Sequence, residues 1–375
     1  MITALRVRLE PNNKQMSKLF QSAGTARWAY NWTLAKQEEN YENGGKFIKD
    51  GDLRKELTKL KKTDELKWLN VCSNNITKQA VKDACEAYHK FFDGLSGKPK
   101  FKSRKKSPPK FYQDTEKIKF EDCKVRLEKI GWVNLSEKNR IPEKVKYTNP
   151  RVKFDGIHWY VSVGIEISPE PVELIGESIG IDVGVKYMAV CSNIEAPYTN
   201  INKTKKVRKL EKKLRRLQRK VSNKYEKNKE GRSYVKTGNI IKLEKDIKKL
   251  HKRLDNIRID NRQKVTTEIA KTKPSKVVME DLNIKGMMKN KHLSKAIAQQ
   301  GLYEFKLMMK YKCDRQGTEF VEANKWYPSS KTCSECGHVK TKLSLSEREF
   351  RCECCGAVLD RDKNAAVNLS RYKAS

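Results

Sequence analysis

The sequence predicts a multidomain α+β protein that joins a small β-barrel, a helical domain and an α/β domain interrupted by a zinc ribbon. Residues 13–95 show helical periodicity, and residues 117–168 contain short alternating strands separated by turn signals. After residue 171, buried strands alternate with helices, as is typical of an α/β domain. Five of the ten cysteines lie within residues 333–355. The 375-residue length suffices for two or three domains.

The composition indicates a polyanionic partner. Lys and Arg number 82 against 46 Asp and Glu, which gives a net charge of +36, and nucleic acid is the usual partner of so basic a chain. A membrane-surface role would require basic helices with bulky apolar anchors, whereas the apolar residues of the basic helices here form narrow seams. The sequence has no apolar run of about 18 residues and no secretory signal, so we expect a cytoplasmic protein without membrane spans.

The first half of the chain predicts one domain inserted into another. Residues 1–10 alternate like a strand, and short strands resume near residue 117, with an Asp155-Gly156 turn signal between two of them. We expect residues 1–10 and 111–170 to form the β-barrel together. Helices are expected in the inserted part, over residues 13–42, 52–62 and 75–95. The basic segment 97–110 is expected to be a linker or an RNA-facing loop.

Aromatic residues in the first helical stretch have two interpretations. Trp28, Tyr30 and Trp32 could stack on nucleobases. Their helical spacing favours the alternative, in which they pack the helical core.

Two basic helical stretches predict an antiparallel hairpin over residues 204–260. A break containing Gly231 and Gly238 separates the stretches. Apolar residues recur at three- and four-residue spacing in both, at Val207, Leu210, Leu214, Leu217 and Val221, then at Leu243, Ile247, Leu250, Leu254 and Ile257. The outer faces carry Lys and Arg with little acid to balance them. We expect these faces to lie on phosphates, the alternative being an ordinary solvated surface.

The cysteine cluster predicts a structural zinc site. CSECG and CECCG each contain a C-x2-C pair followed by glycine, which suits a tight knuckle turned by backbone amides. The four ligands are expected to be Cys333, Cys336, Cys352 and Cys355. Such a site has no open position, so we assign it to folding and not to catalysis. Cys354 is a spare thiol that could compete, and a disulfide is disfavoured by the expected cytoplasmic setting.

Three acidic positions predict a second metal site. Asp182 in SIGIDVGVKYMAV, Glu280 in KVVMEDL, and Asp360 or Asp362 in LDRDKN lie in or beside apolar elements, where an unpaired carboxylate is costly. Gathered at one sheet edge, they could hold two divalent cations about 4 Å apart for phosphodiester hydrolysis. Mg²⁺ suits such a site because it accepts few carboxylates.

Each acid also has a structural alternative. Asp182 could bond to a turn, and Asp281, beside Glu280, could cap the segment that follows it. Either Asp360 or Asp362 could cap the last helix.

Several motifs together resemble one protein family. In chain order, IGIDVGVKYMAV, VVMEDLNIKGM, WYPSSKTCSECG, the second CxxCG and DRDKNAAVNL resemble the TnpB (OrfB) proteins of bacterial and archaeal insertion sequences, which are relatives of compact type V CRISPR effectors. The upstream segments RVRLEPNNKQ, TARWAYNWTL and AYHKFF are also similar, so the resemblance covers nearly the whole chain.

The resemblance implies names and limits for the domains. It implies a wedge (OB-like) β-barrel over 1–10 and 111–170 and a helical recognition domain over 11–110. It implies a RuvC-like (RNase H-like) nuclease domain over 171–332 and 356–375. A zinc ribbon that binds target nucleic acid would occupy 333–355.

The resemblance also implies an activity: RNA-guided, Mg²⁺-dependent hydrolysis of double-stranded DNA beside a short flanking motif. The guide RNA would come from the end of the element, and the complex would be a monomeric ribonucleoprotein in a bacterial or archaeal cytoplasm. The catalytic, magnesium-binding acids would be Asp182, Glu280 and Asp362. Asp362 is chosen over Asp360 because the family motif places the metal-binding acid two residues before an asparagine, which is Asn364 here. Candidates for reading the flanking motif are Asn74, Asn75, Lys78 and Gln79.

Three other functions remain open at this point. A nuclease-inactive, RNA-guided repressor would be expected to have lost a catalytic acid, whereas all three positions are acidic here. A guide-free recombinase could use the same acids on DNA alone. An RNA-binding zinc-ribbon protein of the ribosome or of RNA processing would explain the charge and the cysteines but not the three acids.

Overall fold

A computed structural model describes residues 2–168, 172–231, 233–344 and 347–373. The chain divides into two compact units, Met1–Ser168 and Pro169–Ser375. Within the described residues, no helix combines the length and the apolarity needed to cross a membrane.

The first unit is built on a seven-stranded sheet and three α-helices. The strands are β1 (Ile2–Glu10), β2 (Lys110–Tyr112), β3 (Lys119–Glu121), β4 (Lys124–Leu127), β5 (Gly131–Leu135), β6 (Tyr147–Phe154) and β7 (Trp159–Glu166). The helices are α1 (Asn13–Glu42), α2 (Asp50–Leu60) and α3 (Asn74–Phe92). The strand order is β2-β6-β7-β1-β5-β4-β3, and all pairings are antiparallel.

The N-terminal strand lies inside this sheet, as the sequence predicted. β1 pairs with β7 from Ile2 opposite Glu166 to Leu9 opposite Trp159. Asp155 shapes the turn between β6 and β7 because its carboxylate accepts hydrogen bonds from the backbone amides of Ile157 and His158, and Gly156 adopts φ +97°. Closure of the sheet into a barrel remains a prediction.

The helices share one apolar core with the sheet. α1 begins at a capping box, in which Asn12 and Gln15 bond reciprocally to each other's backbone amide. Tyr30 is buried in this core, and Trp28 and Trp32 are partly buried against it, which supports the core-packing interpretation of the aromatic residues. Lys102, in the predicted linker, is fixed to α1 because Asn31 bonds both its amide and its carbonyl.

The second unit contains a mixed sheet, a long helical hairpin and a small cysteine-rich segment. Its strands are β8 (Ser178–Asp182), β9 (Tyr187–Cys191), β10 (Tyr198–Thr199), β11 (Lys229–Glu230), β12 (Ser233–Tyr234), β13 (Lys276–Glu280), β14 (Glu319–Ala323), β15 (Glu349–Arg351) and β16 (Val358–Asp360). Its helices are α4 (Lys205–Lys227), α5 (Gly238–Lys271), α6 (Ile284–Met287), α7 (Ser294–Gln300), α8 (Leu302–Gln316) and α9 (Arg361–Ser370).

The mixed sheet has the order β10-β9-β8-β13-β14. β8, β13 and β14 run parallel, and β9 is antiparallel to β8. The three central residues of β8 and of β13 are all buried, as expected for strands covered on both faces. α9 packs on β8 and β13, so the last helix of the chain covers the centre of the sheet.

The helical hairpin has the predicted seam and a longer second helix. Val207, Leu214, Leu250 and Leu254 are buried between α4 and α5. α5 continues to Lys271, beyond the predicted end at residue 260, because its last turns leave α4 and enter the core of the sheet domain.

The sequence predicts one helix over residues 293–312, whereas the structure has two helices there, α7 and α8. Gly301 lies between α7 and α8 with φ +64°, a left-handed conformation that suits glycine. This residue ends α7 and starts α8, which continues to Gln316.

Candidate metal centre and carboxylate site

The structure gathers the four predicted cysteines into one cluster. The Sγ atoms of Cys333, Cys336, Cys352 and Cys355 all lie within 4.8 Å of one another. Sγ–Sγ distances of 3.7 Å for Cys333–Cys355 and 3.5 Å for Cys336–Cys352 are too long for disulfides. Four convergent thiols are the donor set of a closed tetrahedral zinc site, so these residues fit a structural zinc ion.

Backbone amides turn each knuckle, as the glycine after each pair predicted. Gly337 and Gly356 adopt positive φ angles of +80° and +73°. The amides of Cys354 and Cys355 point at Cys352 Sγ, at 3.4 and 3.5 Å. These donors lower the pKa of the Cys352 thiol to about 6, which favours the thiolate that binds metal. The Cys354 side chain is outside the cluster and exposed.

The parallel register places two of the predicted acids side by side. Ile181 of β8 pairs with Met279 of β13, so the next residues, Asp182 and Glu280, end their strands at the same edge of the sheet. Neighbouring strands are about 4.8 Å apart, and residues in register project to the same face. The carboxyl ends of parallel strands are the usual location of ligand sites in α/β sheets.

The electrostatics of Asp182 show that the third acid is also near. Burial of the carboxyl group and the negative charges of Glu280 and Asp362 raise the pKa of Asp182 to about 8. The positive charge of Arg361 opposes this rise only in part. Although Asp182 as a residue is only half-buried, its carboxyl group lies among other acids, and like charges crowded in this way favour protonation or a bound cation.

The carboxylates are spaced more widely than the thiols. Among the residues that the structure describes, only the four cysteines form a group of three or more metal-binding side chains with all ligand atoms within 4.8 Å. Asp182, Glu280 and Asp362 are therefore close enough to affect one another's charge without forming so tight a group. Their assignment as the catalytic acids stays a prediction.

Gly180 allows α9 to approach β8 closely. A Cβ atom at this position would lie 2.0 Å from the carbonyl oxygen of Ala366 and 2.4 Å from the amide nitrogen of Ser370. This contact brings the first turn of α9, which contains Asp362, to the sheet edge that carries Asp182. The sequence analysis gave Gly180 no role. Its position two residues before Asp182, within an otherwise apolar strand, is the signal that could have indicated one.

Asp360 and Asp362 have different environments. Asp360 is the N-cap of α9, and its carboxylate accepts hydrogen bonds from the backbone amides of Asp362 and Lys363 at 3.0 and 2.9 Å. Asp362 lies in the first turn. The capping alternative for this motif thus applies to Asp360.

A loop between β14 and the first cysteine knuckle holds Glu280. The hydroxyl of Ser329 donates to the Glu280 carboxylate. Asn368 of α9 donates to the carbonyl oxygens of Ser329 and Thr332, at 2.8 and 2.7 Å, and Asn364 bonds the backbone of Thr332 and Ser334. The two asparagines stand four residues apart on one face of α9, a spacing that could have identified them in the sequence.

Other residues singled out in the sequence have structural partners. Asp281 is exposed and bonds Lys306, while Asn283 caps α6, so the alternative in which Asp281 caps this segment is wrong. Asn75 donates to Asp114, Gln79 bonds Asp83, and the Asn74 side-chain oxygen accepts from Lys61. Lys78 is exposed. Their predicted role in reading DNA is untested.

Comparison with known proteins gives matches along the chain. Residues 1–46 match a family model described as "Helix-turn-helix domain", 159–291 one described as "Probable transposase", and 303–369 one described as "Cas12f1-like, TNB domain". Over residues 1–46 the structure has a strand, β1, followed by one long helix, α1. Asp182 and Glu280 lie in the second matched region, and Asp362 and the cysteine cluster lie in the third.

Two curated relatives match over nearly their full lengths. "Putative RNA-guided DNA endonuclease InsQ" of Escherichia coli (strain K12) is 30% identical, with 98% of this chain and 91% of the relative covered. The chain belongs to the TnpB (OrfB) family. A second TnpB-family relative, "Putative RNA-guided DNA endonuclease" of Streptomyces pristinaespiralis, is also 30% identical, with 98% and 88% coverage.

The fold of this TnpB-family chain is also similar to a solved structure. The structure is described as "Cryo-EM structure of the Cas12f1-sgRNA-target DNA complex". The match has a TM-score of 0.62 and 19% sequence identity, and it covers 95% of this chain and 82% of that one. At this identity the likeness concerns the fold.

Proposed function

We propose that this protein is an RNA-guided DNA endonuclease with a RuvC-like centre at Asp182, Glu280 and Asp362. The observation that carries the proposal is the convergence of these acids at one sheet edge, where the β8–β13 register and the packing of α9 bring together three distant segments. The net charge of +36 suits a protein that holds nucleic acid by its backbone. The names of the two relatives support the same activity.

The proposed substrate is double-stranded DNA beside a short flanking motif. The guide is proposed to be an RNA from the end of a transposable element. Delegating sequence recognition to base pairing fits the composition, because the protein then needs charge and shape to hold an RNA–DNA duplex and reads few bases itself.

The donor chemistry of the sheet edge fits magnesium. Burial of the carboxyl group and the negative charges of Glu280, Asp362 and Asp360 raise the pKa of Asp182 to about 8, and the positive charge of Arg361 lowers it only in part. A divalent cation would balance this negative charge. Asp182, Glu280 and Asp362 would hold the Mg²⁺ ions, which supply activation of water and stabilisation of the departing 3′ oxygen in phosphodiester hydrolysis.

The residues of the chain keep this site in position. Asp182 and Glu280 are fixed on adjacent strands, and the Ser329 hydroxyl orients Glu280 by donating to its Oε1 atom. Asn364 and Asn368 hold the Ser329 loop on α9. Cys333, Cys336, Cys352 and Cys355 would hold structural zinc at the end of the same loop.

The first test is to express the chain with its native flanking DNA and to sequence the RNA that copurifies. We expect one RNA species with a constant scaffold and a defined end, and Mg²⁺-dependent cleavage of DNA matched to its guide. Heterogeneous RNA, or none, would contradict RNA guidance and favour a guide-free recombinase. A defined RNA that directs binding without cleavage would instead favour a repressor.

A single substitution then tests the centre. Asp182→Ala should abolish cleavage and leave the copurified RNA unchanged, because Asp182 lies at the sheet edge and not on the basic hairpin. Asp281→Ala is the matched control, since Asp281 is exposed and bonds Lys306. It should keep its cleavage rate. Cleavage by Asp182→Ala would remove this residue from the mechanism.

A further inference from the structure

The loop over residues 324–328 begins and ends beside Glu280. Before the loop, Ala323 at the end of β14 is paired in register with Glu280. After it, Ser329 donates its hydroxyl to the Glu280 carboxylate. Trp326 is the middle residue of the loop, three positions from each anchor. Since a chain extends at most about 3.5 Å per residue, the Trp326 backbone lies within about 11 Å of both anchors.

The loop has a defined conformation. The Asn324 side chain accepts a hydrogen bond from the Trp326 amide at 2.9 Å, and the Asn324 amide donates to the hydroxyl oxygen of Tyr372 at 3.1 Å. The Tyr327 hydroxyl donates to the carbonyl oxygen of Asn368 at 3.0 Å, and its ring packs on Tyr372. These contacts attach both sides of Trp326 to α9 and to the C-terminal residues.

The indole of Trp326 is not used in this packing. Its exposed fraction is 82%, the highest among the exposed large hydrophobic residues of the described chain. Its neighbour Tyr327 is turned inward, so the loop presents one aromatic residue to solvent and uses the other as an anchor. The Lys325 ammonium lies 5.2 Å from the indole ring centroid. An isolated exposed tryptophan is ordinary on a protein surface, but here a fixed loop places it beside a carboxylate site.

We propose that Trp326 and Lys325 form a subsite that stacks one unpaired nucleobase of the DNA strand held at Asp182, Glu280 and Asp362. This inference rests on the proposed function and names a substrate contact for it. An aromatic face beside a cation matches a base and its phosphate, and base–aromatic stacking accepts any base. A base inside a duplex has both faces covered by its stacked neighbours, so a strand bound here must be single-stranded at that nucleotide.

The test uses the full-length protein with its copurified RNA, and single-stranded DNA oligonucleotides with 2-aminopurine at successive positions. Ca²⁺ replaces Mg²⁺ so that the DNA stays intact. The variants are Trp326→Ala, Trp326→Leu and Trp326→Phe. Tyr303→Ala is the control, because Tyr303 is a 53% exposed aromatic residue on α8 in the same unit.

We expect quenching of 2-aminopurine at one position in the wild type, in Trp326→Phe and in Tyr303→Ala. Trp326→Ala and Trp326→Leu should lose this quenching and weaken single-strand affinity about 5- to 150-fold. Trp326→Leu keeps apolar bulk without a π face, so it tests stacking even if the alanine variant is unstable.

Three results would overturn the proposal. They are quenching that persists in the folded alanine or leucine variant, equal loss in the control, and failure of phenylalanine to restore stacking. The guided cleavage of matched DNA by the wild type is measured in parallel with Mg²⁺. Its absence would reject the proposed function. Guided cleavage by a wild-type protein that shows no position-specific quenching would instead reject the subsite alone.

Discussion

Asp360 and Asp362 lie two positions apart in the sequence and have different surroundings in the structure. The Asp360 carboxylate is engaged with the amides that begin α9. Both carboxylates raise the pKa of Asp182, and the contribution of Asp362 is the larger. Another capping residue can replace Asp360, whereas removal of the Asp362 charge would weaken the proposed cation site.

A matched pair of substitutions tests this division. Asp362→Asn should abolish DNA cleavage, because the site loses one of its three negative charges. Asp360→Asn should cleave at the wild-type rate, because Asn caps helices as well as Asp, whereas Asp360→Ala should lower the free energy of unfolding by about 0.5–2 kcal/mol. Cleavage kinetics and chemical denaturation of the three variants give the comparison. Activity in Asp362→Asn together with inactivity in Asp360→Asn would reverse the two roles.

At the scale of residues, the sequence indicates the candidate acids but not the residues that hold them. Asp182, Glu280 and the four cysteines have residue types that indicate their chemistry. Ser329 has an ordinary hydroxyl, and its contact with Glu280 depends on a loop conformation that no local pattern specifies. The sequence alone also left open which of Asp360 and Asp362 caps α9, since the helix could begin directly after either residue.

Among the elements, the contact of β8 with α9 depends on the size of one residue. Gly180 has no space for a Cβ atom, because backbone atoms of α9 would lie at 2.0 and 2.4 Å. Backbone cannot rotate away as a flexible side chain can, so α9 itself would have to move.

Two glycines of the GIDVG motif provide the test. Gly180→Ala should displace α9 and lower the free energy of unfolding by about 1–3 kcal/mol or more. It should also reduce cleavage, because Asp362 moves with the helix. Gly184→Ala should be tolerated, since its Cβ would meet only the Tyr187 carbonyl oxygen at 3.9 Å. Denaturation curves and cleavage rates are compared for both. Equal behaviour of the two variants would show that the close approach of α9 does not position the site.

Helical periodicity predicted the elements better than their ends. α1 and the seam of the hairpin follow from apolar spacing and from the Asn12 cap. The sequence placed the end of the hairpin at residue 260, where the apolar residues stop facing α4. The helix itself continues, because Val265 and Ile269 pack in the sheet core instead. The break at Gly301 was missed because a single glycine is compatible with a helical pattern.

For the whole molecule, charge is the property that the sequence states most directly. The exposed side of α4 carries a row of cations, Lys212, Lys213, Arg215, Arg216 and Arg219. The sequence predicts that such a face binds phosphates, but a net charge of +36 does not specify which of many basic residues do so.

Salt dependence measures the contribution of this face. Replacing Lys212, Arg215, Arg216 and Arg219 by Gln should weaken guide-RNA binding. It should also reduce the slope of log affinity against log salt by about 0.7–0.9 for each phosphate that the protein no longer neutralises. Exchanging Lys and Arg at the same positions keeps the charge and should leave the slope unchanged. RNA titrations at several salt concentrations provide both values, and an unaltered slope in the Gln variant would assign RNA binding to another surface.

Because α5 is one continuous helix, it also fixes how the hairpin is rotated about the helix axis relative to the sheet core. Its 34 residues form one rod about 51 Å long, with Leu250 and Leu254 against α4 and Val265 and Ile269 in the sheet core. The direction in which the hairpin presents its cations is therefore set by helical phase. One residue inserted after Ile257 would turn that face by about 100°, whereas seven would return it to within about 20° of its original bearing.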